Sequence, residues 1–223
     1  MQDLHGQTLV LRLDDATLAD GRTTFFSDIV FLREHAVHPI VVAPSADAAR
    51  AVVRVMNRSG DTAVGLSGAD AGMIPATGAE SVGSVQTRLL RTLIGAGFVP
   101  VIEPLALGFS GADVPVGADT IAGAIARAVE AARAIFFHDA GGVLDPATAT
   151  VIDELTPAEA LALAETDGIS TTLRDAMRAA ALGVRGGVEA AQIVDGRIAH
   201  AAIVELLTAR HLGTQVVGGI LLA

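Results

Sequence analysis

The sequence predicts an α/β protein, a three-layer αβα sandwich built around a mainly parallel sheet. Short Val/Ile/Leu runs alternate with Ala-rich stretches whose apolar residues recur at helical spacing, which is the order of parallel βαβ units. The strand runs are continuously apolar, as expected of strands buried on both faces. Apolar residues make up 51% of the 223 positions and charged residues 18%, enough to bury a sizeable core.

In chain order, a first strand is expected over 8–13, where Val10, Leu11 and Leu13 surround Arg12, and a helix over 25–34. Strand and helix then pair over 39–43 and 46–57, 62–66 and 82–96, and 99–103 and 120–132. A strand over 134–137 precedes two helices, 157–165 and 171–182, and the last pair is 190–194 and 199–209. The helix at Pro157 carries its own start signal. Thr156 is placed to cap, Pro157 suits the first turn, and Glu159 completes a capping box. The stretch "LALGFSGADVPVGAD" reads as a Gly-rich loop inside the domain. No repeat, low-complexity segment or long linker divides the chain, so one domain over 1–223 is expected.

The net charge of −10 argues against nucleic acid, which needs clustered basic side chains. Cysteine is absent, removing disulfides and thiolate chemistry, and all fifteen basic residues are Arg. No apolar run approaches the ~20 residues that span a bilayer, and no signal-peptide pattern opens the chain. A cytoplasmic protein without membrane contact is the expectation.

Two strand ends look able to receive an anion. In "TAVGLSGADAG" a strand runs into Gly65, Ser67, Gly68 and Asp70, small residues that let backbone N–H groups approach a phosphate. In "AIFFHDAGGVLD" Asp139 ends a strand and Gly141 and Gly142 follow. The segments "AVGLSGADAGMI", "GFVPVIEPLALG", "GADTIAGAIARAV", "AIFFHDAGGVLD", "ELTPAEALAL" and "IVDGRIAHAAIVELLTARHLGTQV" stand in register from about 62 to 216. Together they resemble the amino-acid kinase family, and within it the N-acetylglutamate kinases. The resemblance implies MgATP over the C-terminal half, about 111–223, an acyl-amino acid over the N-terminal half, about 1–110, and phosphoryl transfer to a carboxylate. In such chemistry, positioning and charge neutralisation do most of the catalytic work.

By that resemblance Asp119 falls on the aspartate that organises the active site. Asp139, Gly141 and Gly142 fall on the nucleotide side, and Gly65, Ser67, Gly68 and Asp70 in the substrate-side loop. Asp195 to His200 forms a structural signature. The catalytic positions depart from the family. Its first strand ends in a lysine followed by a glycine pair, where this chain has Arg12, Asp14 and Asp15. Its second ends in a His-Gly-Gly-Gly turn, replaced by Ala43, Pro44, Ser45 and Ala46, and Pro44 lacks an N–H. The two Asn of its Asn-x-Asn-Ala-Asp motif are Pro115 and Gly117. Its second lysine aligns with Ala176, and Arg174 is the nearest replacement cation, with a different donor geometry. Several dozen residues, including a hairpin lid over the substrate, have no counterpart after Pro44.

The pair Asp14 and Asp15 is therefore expected to be a solvated, helix-capping pair rather than to hold phosphate or Mg²⁺, with Asp15 either capping the following helix or facing its positive end. His35 and His38 lack a third ligand and read as a surface pair, so no metal site is expected. His138 reads as filling a variable position. Phe25 and Phe26 are expected in the core, and Arg50, Arg54 and Arg58 on one solvated helix face.

Three functions follow. The first is a kinase-like protein without phosphoryl transfer, acting as a binding, regulatory or structural subunit in a homo-oligomer or beside an active relative. The second is a diverged ATP- and Mg²⁺-dependent kinase of an acyl- or carrier-bound carboxylate, with Arg12 and Arg174 neutralising charge and Asp119 organising them. The third is a small-anion or metabolite store or sensor.

Overall fold

A computed structural model of the protein describes residues 4–20, 22–60, 62–78, 80–208 and 211–218. Its elements are β1 (Thr8–Arg12), α1 (Asp15–Asp20), α2 (Arg22–Glu34), β2 (His38–Val42), α3 (Ala46–Met56), β3 (Ala63–Leu66), α4 (Arg88–Gly95), β4 (Val99–Ile102), β5 (Leu105–Leu107), β6 (Asp113–Pro115), α5 (Ala118–Ala128), β7 (Arg133–Phe137), β8 (Glu154–Leu155), α6 (Pro157–Ala164), α7 (Thr171–Arg185), β9 (Ala190–Val194), α8 (Ala201–Leu207) and β10 (Gly213–Val217). Eight strands form one sheet in the order β3-β4-β2-β1-β7-β9-β10-β8, and within it only β9 and β10 pair antiparallel. Helices cover both faces, giving the αβα sandwich.

Alternation along the strands assigns side chains to layers. Leu9, Leu11 and Leu13 face the layer of α2, α3 and α8, where Phe25, Ile29 and Val52 are buried. Val10 faces the other layer, with Ile121 and Ile125 of α5 and Met177 of α7. Arg12, two residues on from Val10, points the same way. Phe25 and Phe137 meet edge to face at 5.7 Å, and burying each such ring stabilises by about 1.5–3 kcal/mol. Among the described residues no helix is long and apolar enough to cross a membrane.

The expected capping box forms, with Glu159 N donating to Thr156 Oγ1 at 3.3 Å and Thr156 N to Glu159 Oε2 at 2.8 Å. Elsewhere the structure departs from the pattern. The helix expected over 82–96 is confined to Arg88–Gly95, because the N–H groups of Gly83 and Gln86 bond to Pro75 and Met73 rather than within a helix. The supposed Gly-rich loop is a β5–β6 hairpin with Ala106 fully buried. Three elements had no clear periodic signal: α1, β8 and β10. The helix expected over 199–209 spans Ala201–Leu207, and its last expected residue, Ala209, lies outside the described residues.

Candidate functional site

The C-terminal ends of β1, β7 and β9 open toward the N-termini of α5 and α7, the place where ligands bind in parallel α/β sheets. Arg12 leaves the end of β1 on the α5 side. Its Nη2 donates to Asp119 Oδ2 at 2.8 Å and its Nη1 to the Phe137 carbonyl at 3.3 Å. Both side chains are buried, at 10% and 7% exposure. The pairing is incomplete, since Arg12 Nε and Asp119 Oδ1 are buried without hydrogen-bond partners. Burial pushes the Asp119 carboxyl up to about 6, Arg12 draws it back down, and the charge of Asp175 raises it again.

The corner after β1 turns inward on itself. Asp14 accepts from Thr17 N at 2.8 Å and caps α1, while Asp15 stands in the first turn at the positive end of the helix, the second of its two expected roles. Thr17 is buried against Gly196, where any added Cβ would collide with its hydroxyl. Replacing Asp14 by Ala is expected to cost about 0.5–2 kcal/mol, the range for a lost helix cap, read as a lower denaturant midpoint.

At the end of β7, His138 follows the same alternation as Phe136 and faces α7. Its Nδ1 accepts from Ala140 N at 3.0 Å, which assigns the proton to Nε2, aimed at Thr172 Oγ1 at 3.1 Å. Burial lowers its pKa, and the nearby Asp139 acts in the opposite direction. Asp139 Oδ1 is 3.1 Å from Nδ1. The contact is not an ion pair, because that nitrogen is already an acceptor. His138 thus ties β7 to the first turn of α7, a role the sequence did not disclose.

Asp139 itself is largely exposed, and its carbonyl accepts from Arg197 Nη2 at 2.8 Å. Arg197 also grips both oxygens of Asp195, which holds the Asp195 carboxyl below its usual range. Gly141 and Gly142 have φ of 70° and 139°. A Cβ at Gly142 would press on Val151, Thr214 and Gly213, so close packing against the start of β10 accounts for that glycine. His200, at the end of the signature, meets buried Asp28 of α2 at 2.6 Å.

The remaining expected site residues lie apart from this corner or are committed elsewhere. Arg174 Nε donates to the Ala164 carbonyl at 2.6 Å, with Nη2 at 3.4 Å from Thr166 O, so its guanidinium clasps the α6–α7 connection. Ala176 is fully buried in the core. At the end of β3, Ser67 N donates to Asp70 Oδ2 at 2.6 Å, closing on its own carboxylate the loop read as an anion cradle. Gly68 is required there because β5 passes directly above it. After β2, Ser45 caps α3 at once, accepting from Ala48 N at 3.1 Å, so no lid intervenes.

At this corner the charges are already paired within the protein. The two guanidiniums at the corner, Arg12 and Arg197, are paired with Asp119 and Asp195. Asp14 and Asp139 add negative charge here, acting on both His138 and Arg197. Metal and phosphate would have to displace these contacts at the cost of a buried pair.

Comparison with known proteins sets this geometry in context. The model of the amino acid kinase family matches residues 43–194. The chain is 33% identical to acetylglutamate kinase of Gluconobacter oxydans (strain 621H) over 215 residues, covering 87% of this chain and 72% of that protein. For the acetylglutamate kinase of Acidiphilium cryptum (strain JF-5) the identity is 36%, over 74% of this chain and 62% of that protein. For that of Rhizorhabdus wittichii (strain DSM 6014) it is 30% over 275 residues, 97% of this chain and 91% of that protein. That alignment is longer than the 223-residue chain, so this relative contains segments the chain lacks. Among solved structures, N-acetylglutamate synthase from Neisseria gonorrhoeae superposes with a TM-score of 0.77 at 19% identity, over 96% of this chain and 60% of that one. Carbamate kinase from Giardia lamblia gives 0.68 at 12% identity, over 96% and 99%.

Proposed function

Because the chain belongs to the amino acid kinase family, we propose that it keeps the family's fold without phosphoryl transfer and serves as a non-catalytic binding, regulatory or structural subunit. One observation carries this reading: the cation at the end of β1, Arg12, is spent inside the protein on Asp119 and the Phe137 carbonyl. Asp14 and Arg174 are committed in the same way, to Thr17 and to the α6–α7 connection. Phosphoryl transfer needs positive charge aimed at the transferring group, and both bonded nitrogens of Arg12 point to protein acceptors. A cytoplasmic, oligomeric protein, with itself or beside an active kinase, belongs to this reading.

The alternative is a diverged ATP-dependent kinase of a carboxylate, favoured by the survival of a cation–carboxylate pair at Arg12 and Asp119. Calorimetric titration with MgATP, alone and with N-acetylglutamate, separates the two, followed by a phosphoryl-transfer assay. The proposal expects no heat at millimolar nucleotide and no product. Turnover that Asp119→Asn abolishes would overturn it.

A further inference from the structure

β3 is the outer strand of the sheet, three strands from β1, and its free side is guarded residue by residue. Val99 N donates to the Thr62 carbonyl at 2.7 Å and Glu103 N to the Leu66 carbonyl at 2.8 Å. Residues 62, 64 and 66 therefore face β4, and the backbone groups of Ala63 and Gly65 face outward. Ala63 is blocked. Asn57 Oδ1 accepts from Ala63 N at 2.7 Å and Asn57 Nδ2 donates to the Ala63 carbonyl at 2.9 Å, so one side-chain amide stands where a further strand would pair. Two residues on from Gly65, Ser67 N donates to Asp70 Oδ2. Gly65 lies between these two guards. It is exposed, and its outward N–H and carbonyl make no bond among the described residues.

A pocket of about 410 Å³ opens on Gly65. Its wall is α3, where Val53 Cγ2 lies 3.5 Å from the place of a Gly65 Cβ and Arg50 and Arg54 line the same space. Two contacts fix the direction of α3 along β3. Asn57 lies at Ala63, while Arg50 reaches past the other end of the strand, its Nη1 3.7 Å from Glu103 Oε1. Arg54 consequently stands on the Ala63 side of the pocket. Arg50 is engaged by Asp47 at 2.8 Å and by Glu103, whereas Arg54 makes no hydrogen bond or ion pair among the described residues. The carboxylates lie at the opposite end, Glu103 beside Arg50 and Asp70 on Ser67.

An extended segment laid antiparallel on Gly65 exchanges both hydrogen bonds with it through a single residue. The carbonyl of that residue falls on the Ala63 side, where Asn57 leaves no groups for the segment to continue on. A chain that ends there fits, with its terminal carboxylate toward the free guanidinium of Arg54. The reverse orientation sets a starting ammonium against Arg54, and like charges repel. We infer that the β3 edge captures the C-terminal residue of a partner polypeptide. The N–H of that residue donates to the Gly65 carbonyl, and its carboxylate accepts from Gly65 N–H and from Arg54. Directly opposed residues project to one face, so its side chain enters the space over Gly65 against Val53. Strand addition supplies the pairing, and the charge-assisted bond selects a chain end. The site is three strands from Arg12 and stands whether or not that corner binds nucleotide.

Calorimetric titration of the full chain with the peptide acetyl-Ala-Gly-Val-Leu tests it. The same peptide amidated at its C-terminus, and the unacetylated amide, whose free end is an ammonium, are the comparison probes. The acid is expected to bind. Loss of a charge-assisted hydrogen bond weakens binding by about 10- to 100-fold, so the amide should be weaker by that factor, and the ammonium peptide no stronger than the amide. Arg54→Gln should bring acid and amide close to parity. Arg54 is exposed and unpaired, so an unchanged unfolding temperature is expected and shows the variant is folded. Gly65→Val, whose Cβ meets only Val53 at ordinary contact distance, fills the space and should abolish binding of the acid. Absence of binding by the acid at millimolar concentration overturns the inference. So does an amide or ammonium peptide that binds as well as the acid, or a preference for the acid unchanged in Arg54→Gln.

Discussion

Arg12→Met is expected to lower stability by about 3–5 kcal/mol at neutral pH, the cost of leaving one partner of a buried ion pair alone. For a chain of this size that corresponds to a fall of roughly 6–20 °C in unfolding temperature. The loss has a characteristic pH dependence. In the wild type, Asp119 is raised from 3.8 to about 6, first by burial, and Arg12 is what restrains it. A carboxyl whose folded pKa exceeds its unfolded value favours folding fully below the unfolded value. That contribution disappears as pH rises through the folded value, so the wild-type window lies between about pH 4 and 6. Without Arg12 the folded value climbs further, and the variant should regain stability on acidification while still deficient at pH 7.5. Guanidinium unfolding at pH 5 and 7.5 measures this. A deficit that is the same at both pH values would show that Asp119 is not the group responsible. The double variant Arg12→Met/Asp119→Leu removes both charges and is expected to lie near the wild type or above it.

Gly68→Ala is the second large effect, at about 2–4 kcal/mol. A Cβ there would lie 2.5 Å from the Leu105 carbonyl, 2.7 Å from Ala106 Cα and 2.9 Å from Ile74 Cβ. None of these is the far end of a flexible side chain, so backbone must move. The movement strains two hydrogen bonds, Gly68 N to Leu105 O at 2.8 Å and Ile74 N to Gly68 O at 2.9 Å. Gly95, the last residue of α4, with nothing within 4 Å of a built Cβ, is the control. Its change to Ala is expected to raise stability by about 0.5–1 kcal/mol, because a helix gains from the lost backbone freedom. Parallel denaturant curves report both, and equal midpoints for the two variants would contradict the packing argument.

Local chemistry was legible where it was repeated or self-contained. The strands of the parallel core are uniform apolar runs, and the box at Thr156 and Glu159 closes within four residues. Short elements that depend on a neighbour were not legible. β10 is a mixed run whose pairing comes from β9, and before α4 the N–H groups of Gly83 and Gln86 go to the carbonyls of Pro75 and Met73 in an earlier loop. The turn at Gly65–Asp70 shows the same dependence, since the sequence did not disclose that Asp70 accepts from the Ser67 N–H.

The family and the αβα architecture were decided by the sequence alone, because residue identity and order carry them. Whether Arg12 and Arg174 remain available as cations was decided only by the tertiary structure. A guanidinium is charged wherever it stands, but its use depends on what lies within about 3 Å. For Arg12 that neighbour, Asp119, comes from 107 residues away, and for Arg174 the Ala164 carbonyl comes from the preceding helix.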